Sequence, residues 1–214
     1  VQGAAGNVAP KYFCSEETPI DATGPEYTRS QNALADMANV ILKELAPKME
    51  MIKTSNLKEI DAYSREVVLT APVPSAEEIN KIAQDAEEIC GIDSSGWLAE
   101  VHKLQENHID KQSENVEVQY FKIGEWCLCG VPYEIMNEFA TRAEQKLDNP
   151  YFYLNGYTNG CSTYFATEEE YDKGGYEVFW SLLIYYVYFH RLFPFEREAC
   201  GQLIDFTVDK FKDE

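Results

Sequence analysis

The stretch VEVQYFKIGEWCLCGVPYE, residues 116–134, restricts the fold more than any other part of the chain. Residues 116–123 alternate apolar and polar side chains, the period of a strand with one buried face. Residues 126–131 are nearly all apolar, as in a central strand buried on both sides. Gly124 between them supplies a turn. Such a strand pair needs helices to cover it, so the expected fold class is α/β, a mixed β-sheet with helices packed on its faces.

The remaining segments supply those layers. Residues 30–46 predict a helix with Leu34, Met37, Ala38, Ile41 and Leu45 on one face, stopped near Pro47. IDAYSREVVLTAPVP (60–74) reads as a strand running into a proline loop. Ser75 and Glu78 then form an S-x-x-E capping box, opening a helix whose stripe is Ile79, Ile82, Ala83, Ala86 and Cys90. A second helix at 95–108 carries Trp97, Leu98, Val101 and Leu104, and the pair reads as a helical accessory segment over 75–110. A helix is expected directly after Pro132, with Ile135, Phe139, Ala143 and Leu147 at i, i+4 spacing. YFYLNGY (151–157) reads as another strand. The last helix, from Pro194 to Lys212, turns Cys200, Leu203, Ile204, Val208 and Phe211 inward. Together these predict a single α/β domain over residues 1–214.

The balance of 37 acidic to 18 basic side chains, net charge -19, repels phosphate backbones and anionic headgroups and argues against nucleic acid as a partner. No membrane-spanning run is expected: the longest apolar segment, 178–195, is broken by Ser181, His190, Arg191 and Pro194. A subunit contact is its expected use, and the chain is therefore expected to be an oligomer. The six cysteines form no CxxC and read as free thiols, which fits a cytoplasmic location and leaves secretion open. Of the three histidines, His102 and His108 read as surface residues and His190 as a packing residue. They cannot build a complete His-based metal site or triad. HExxH, GxSxG, P-loop and dinucleotide fingerprints are all missing.

Three places stand out as sites. The opening VQGAAGNVAP reads as a strand end, residues 1–5, running into a small-residue turn; it has neither an initiator Met nor the regions of a signal peptide. Such a segment reads like one from the middle of a domain. In GVPYE (130–134) a buried strand ends and Glu134 falls at the expected start of a helix. The helix dipole would keep it ionised, which suits a metal ligand as well as an ordinary first-turn glutamate. The loop NGYTNGCSTYFATEEEYDKGGYE (155–177) has the Asn-Gly and Gly-Gly pairs that allow close approach to a ligand, while its tyrosines also suit plain packing.

In this order the three segments resemble the neutral/alkaline non-lysosomal ceramidases and their ceramidase-like bacterial relatives. VQGAAGNVAP is similar to that family's Q-x-x-x-G-[DN]-x-[SN]-P turn, GVPYE to its GVPGE, and NGCSTYFAT with the later GGYE to its N-[GA]-Y-x-x-Y-[IV]-x-T and GGYE. The resemblance implies the C-terminal portion of a zinc-dependent catalytic domain that hydrolyses an amide (N-acyl) bond, an α/β fold incomplete without an N-terminal half. It implies Glu134 and Tyr164 as zinc ligands, with two further His ligands from outside this chain. The implied partners are the N-terminal portion of the same domain, as a separate or cleaved chain, and a small-molecule or lipid-like amide substrate. Asn7, Asn159 and Tyr176 would shape the substrate pocket, with main-chain N–H groups of the 4–9 turn toward an oxyanion. Two positions depart from the family: Ala9 stands where it has its Ser nucleophile, and Tyr133 replaces the Gly of GVPGE, which predicts a bulky side chain beside Glu134. Ala9 also leaves open a non-catalytic ligand-binding or structural subunit that keeps the fold.

Overall fold

Alternation, turn chemistry and caps act together to place the strands. The computed structural model describes residues 2–8, 25–54, 56 and 59–212. By its internal contacts the chain divides into two units, Ala9–Leu57 and Val1–Val8 with Lys58–Glu214. The first holds helix α1, Pro25–Met49, longer at both ends than its apolar spacing indicates; Pro47 sits inside its last turn. Leu34, Ile41 and Leu45 of the expected stripe are exposed. Ala9 and Cys14 lie outside the described residues.

The larger unit is α/β. Strands β1 (Ile60–Pro72), β2 (Lys111–Ile123) and β3 (Trp126–Gly130) form an antiparallel run. Gly124, at φ +60°, turns β2 into β3 through a two-residue hairpin. Between β1 and β2 run helices α2 (Ala76–Cys90) and α3 (Ser95–Glu106). The predicted capping box is formed: the Ser75 backbone N–H donates to Glu78 Oε2 at 2.9 Å, and the Glu78 N–H to Ser75 Oγ at 3.3 Å. Ile79, Ala83, Ala86, Trp97 and Val101 of the 75–110 segment join the same core as the sheet.

After β3 come a two-residue strand β4 (Glu134–Ile135), helix α4 (Asn137–Leu147), β5 (Phe152–Asn155) and a second two-residue strand β6 (Tyr164–Phe165). β5 adds to β3 in parallel, giving a mixed four-stranded sheet in the order β1-β2-β3-β5. β4 and β6 pair separately, also in parallel. Helix α5 (Glu168–Lys173), a π-helical turn Tyr176–Trp180, α6 (Ser181–Phe189) and α7 (Ala199–Lys212) complete the chain. Cys200, Leu203, Ile204 and Val208 of α7 are buried as their spacing predicts. The Tyr120 hydroxyl ties β2 to this helix by donating to the Thr207 carbonyl at 3.0 Å.

Three expected elements are replaced. Residues 2–8 make a turn rather than a strand end, because the Gly6 N–H donates to Ile135 O at 2.9 Å and fixes the segment against β4. The helix expected after Pro132 begins at Asn137, since Glu134 and Ile135 are drawn into pairing with β6. The last helix begins at Ala199 rather than Pro194: the Glu196 N–H donates to Thr70 O at 2.8 Å and ties this segment to β1 before the helix starts. The apolar run 178–195 places Val178, Leu182, Leu183, Leu192, Phe193 and Phe195 in the chain's own interior and leaves Ile184, Tyr185, Val187 and Tyr188 exposed. Among the described residues no helix is long and apolar enough to cross a membrane.

On the core face of the sheet Tyr63 stacks on Tyr120, ring centroids 4.7 Å apart, above the buried thiols of Cys127 and Cys129. Burial, followed by the neighbouring thiols, pushes the Tyr63 phenol from 10.0 up to about 12. Its hydroxyl is buried without a hydrogen-bond partner among the described residues. The unfolded chain therefore loses this proton first, so the group's contribution to stability is fully present below pH 10.0 and is lost as pH rises toward about 12. Tyr63→Phe is expected to leave stability near neutrality unchanged or slightly raised and to flatten its alkaline decline, read from urea midpoints across that window. An unchanged alkaline slope would reject this account.

Candidate functional site

The site grows from one short strand clasped by two loops. Val131 donates its N–H to Asn155 O at 3.1 Å, and Thr158 and Tyr157 return N–H bonds to Val131 O and Tyr133 O, each at 3.0 Å. On the other edge Ser162 N–H donates to Pro132 O at 2.7 Å and Glu134 N–H to Thr163 O at 2.8 Å. The fit is close enough that only glycine serves at two positions. A Cβ on Gly6 would stand 2.7 Å from the Glu134 carbonyl oxygen, and one on Gly156 2.5 Å from that of Tyr133. Left-handed backbone at Tyr157, Asn159 and Thr163 folds the second loop around the strand.

The outcome is that β4 and β6 run side by side with Glu134 opposite Tyr164. Sequence reasoning put Glu134 at the first turn of a helix; it lies on a strand instead, so the helix-dipole argument does not apply. The Tyr164 phenol is raised, first by burial and then by the charge of Glu134 and a hydrogen bond with it. Tyr157 is raised by burial, then by its own hydrogen bond with Glu134. Tyr176 packs edge-on against Tyr164 with centroids 6.2 Å apart. Burial raises its phenol, followed by a hydrogen bond with Tyr185. A carboxylate flanked by phenols thus forms one cluster: Glu134, Tyr157, Tyr164 and Tyr176.

Tyr133 does not crowd this cluster as its size predicts. Strand alternation turns it away from Glu134 into the core, where it is fully buried. Its ring packs edge-on to Phe165 and Phe195, and its hydroxyl donates to Glu114 Oε1.

Asn7 and Asn159 are not brought to the cluster. The Asn7 side chain caps α4: its Oδ1 accepts from the Asn137 N–H and its Nδ2 donates to Glu138 Oε2, both at 2.8 Å. Asn159 lies toward Glu117 instead, close to the opposite sheet face, where the Glu117 carboxyl is held below its ordinary range first by Gln119 and least by Asn159. A cleft of about 590 Å³ lies on that face, lined by residues including Ser64, Glu117, Gln119 and Thr158. The cavity beside Tyr164 is only about 10 Å³, room for about one water. In the 4–9 turn the Gly6 and Val8 N–H groups are already bonded, to Ile135 O and Ala5 O.

Glu134 and Tyr164, the two oxygen donors nominated for a metal from the sequence, stand opposite each other in this cluster. Among the described residues no group of three or more His, Cys, Asp or Glu is arranged to hold one. His102 and His108 are exposed as expected; His190, read as a packing residue, is also exposed and ends α6 in left-handed conformation. Sequence reasoning missed Tyr157, which sits inside the NGYTNG loop and carries φ +55°.

No family model matches the chain. No curated protein matches it. Among solved structures it is similar to a neutral ceramidase from Pseudomonas aeruginosa, at 20% identity over 76% of this chain and with a TM-score of 0.39. The chain spans 30% of the length of that protein.

Proposed function

We propose that the chain carries part of the metal site of a ceramidase-like, zinc-dependent hydrolase acting on an amide (N-acyl) bond. The observation that supports this reading most is the β4–β6 register. Motifs separated by about thirty residues nominate Glu134 and Tyr164, and parallel pairing sets those two residues opposite each other. A carboxylate and a phenolic oxygen suit zinc, and two imidazoles from outside this chain would complete a four-coordinate set. Bound there, zinc supplies Lewis acidity toward an amide carbonyl.

The chain's own residues have definite tasks in this reading. Glu134 and Tyr164 hold the ion, Tyr157 orients the Glu134 carboxylate through its hydrogen bond, and the Tyr176 ring fixes the Tyr164 ring from its edge. Ala9 has no hydroxyl, so water rather than a side chain would attack.

Metal content measured on the protein purified from its source, with any polypeptide that accompanies it, tests the reading. About one zinc per chain is expected, lost in Glu134→Gln together with hydrolysis of a fluorogenic N-acyl amide. Metal-free protein with Glu134 and Tyr164 intact would count against it.

The missing hydroxyl at Ala9 favours a second reading, a ligand-binding protein that retains the fold without catalysis. Activity that appears only in Ala9→Ser would support that reading; hydrolysis by the unaltered chain would exclude it.

A further inference from the structure

The residues immediately before Glu134 and Tyr164 are held by one ion pair between a buried arginine and a half-buried glutamate. Arg191 is 3% exposed, and its Nε lies 3.2 Å from Glu114 Oε2. Its other nitrogens donate to the Phe193 carbonyl and, at 3.1 Å, to Thr163 Oγ1. The second Glu114 oxygen accepts from the Tyr133 hydroxyl. The glutamate thus grips Tyr133, the neighbour of Glu134, and the arginine grips Thr163, the neighbour of Tyr164. Thr163 itself stands at φ +100°, a conformation that a β-branched residue holds only under outside constraint. Arg191 on its hydroxyl and the Glu134 N–H on its carbonyl supply that constraint.

Stability alone does not account for such a pair. Well-packed apolar side chains of similar volume usually serve a core as well or better. Here the guanidinium fork and the carboxylate have a geometric task that apolar groups could not perform, since each of their side-chain hydrogen-bond partners outside the pair adjoins one member of the Glu134–Tyr164 pair, while the guanidinium also stacks on the Phe195 ring at 4.0 Å. We infer that Arg191 and Glu114 are positioning residues that lock β4 against β6 through Tyr133 and Thr163, fixing the Glu134 carboxylate relative to the Tyr164 phenol. That they do so for a metal rests on the zinc reading above; that they set the register does not.

Amide hydrogen exchange on the full chain, followed by NMR, separates placement from stability. The apolar triple variant Arg191→Met, Glu114→Leu, Tyr133→Phe is expected to stay folded with the central-sheet amides of Val118 and Cys129 as protected as before. The Glu134 and Ser162 amides, which bridge the clasp, should exchange about tenfold faster or more. Zinc content after dialysis against limiting zinc should reflect about 10–100-fold weaker binding. Should the triple variant not fold, Thr163→Val carries the test, because it removes the oxygen that accepts from Arg191, together with that oxygen's 3.3 Å bond to the Tyr164 carbonyl, and should loosen the same amides. Glu134 and Ser162 amides that keep their protection in a folded variant would overturn the inference, whatever the zinc content. If those amides loosen as expected but the unaltered protein takes up no zinc, the positioning role stands and the zinc reading fails.

Discussion

Arg191→Met on its own is expected to destabilise the chain by about 3 kcal/mol. The cost arises from what is left behind rather than from the bonds removed. Glu114 would lose its charge partner and keep, among the described residues, the Tyr133 hydroxyl and the water its partial exposure admits, while the Phe193 carbonyl and Thr163 hydroxyl would lose a donor in places water reaches poorly. The Glu114 side chain retains 30% exposure, which holds the figure at the low end of the range for breaking a buried pair. For a chain of this size that is a fall of roughly 6–12 °C in melting temperature by calorimetry. Arg191→Lys keeps the charge but not the planar fork and should lose an intermediate amount. A melting temperature for Arg191→Met within about 2 °C of the unaltered chain would contradict the account.

Gly156→Ala is expected to cost nearly as much, for a steric reason. The added methyl would lie 2.5 Å from the Tyr133 carbonyl oxygen and 3.5 Å from Ile135 Cγ1. The nearest atom is backbone, fixed by the Tyr157 N–H bond at 3.0 Å, so either β4 or the end of β5 must move. Overpacking of this kind costs about 1–3 kcal/mol, and the absence of any side chain that can yield puts the expectation at the upper end. Because β4 carries Glu134, the same substitution should separate the carboxylate from Tyr164 and lower zinc content along with stability. Gly3→Ala is the matched control: nothing lies within 4 Å of its Cβ, and its urea midpoint should not change. Equal midpoints for the two variants would show that β4 is not clasped as described.

Much of the sheet was legible because its signals are local. Alternation through 116–123, the apolar run of β3 and Gly124 between them mark a hairpin without help from distant residues. Ser75 and Glu78 mark the start of α2 in the same way. β4 and β6 escaped notice because two-residue strands carry no periodicity, and what creates them is a pairing between segments thirty residues apart. Missing that pairing misplaced the start of α4 and the environment of Glu134. It also sent Tyr133 to the wrong side of the strand.

At the site, motifs brought out Glu134, Tyr164 and Tyr176 but not their arrangement. The amides of Asn7 and Asn159 are engaged elsewhere, with the start of α4 and with Glu117, which no local pattern signals. Glu114 has a faint trace in the sequence. It keeps step with Val116, Val118 and Tyr120, so once β2 is extended to Lys111 a carboxylate falls on the core face. Arg191 has no such trace beyond being a charge within an apolar run, since its partners are met only when the chain folds back onto β2 and β6.

Anomalous diffraction at the zinc absorption edge, from crystals of the protein purified with any accompanying polypeptide, tests the central claim most directly. The account predicts one peak within ligand distance of both the Glu134 carboxylate and the Tyr164 phenolic oxygen, about 2.0–2.2 Å for the carboxylate. A zinc peak held by other residues, or none with Glu134 and Tyr164 in the arrangement described, would contradict it.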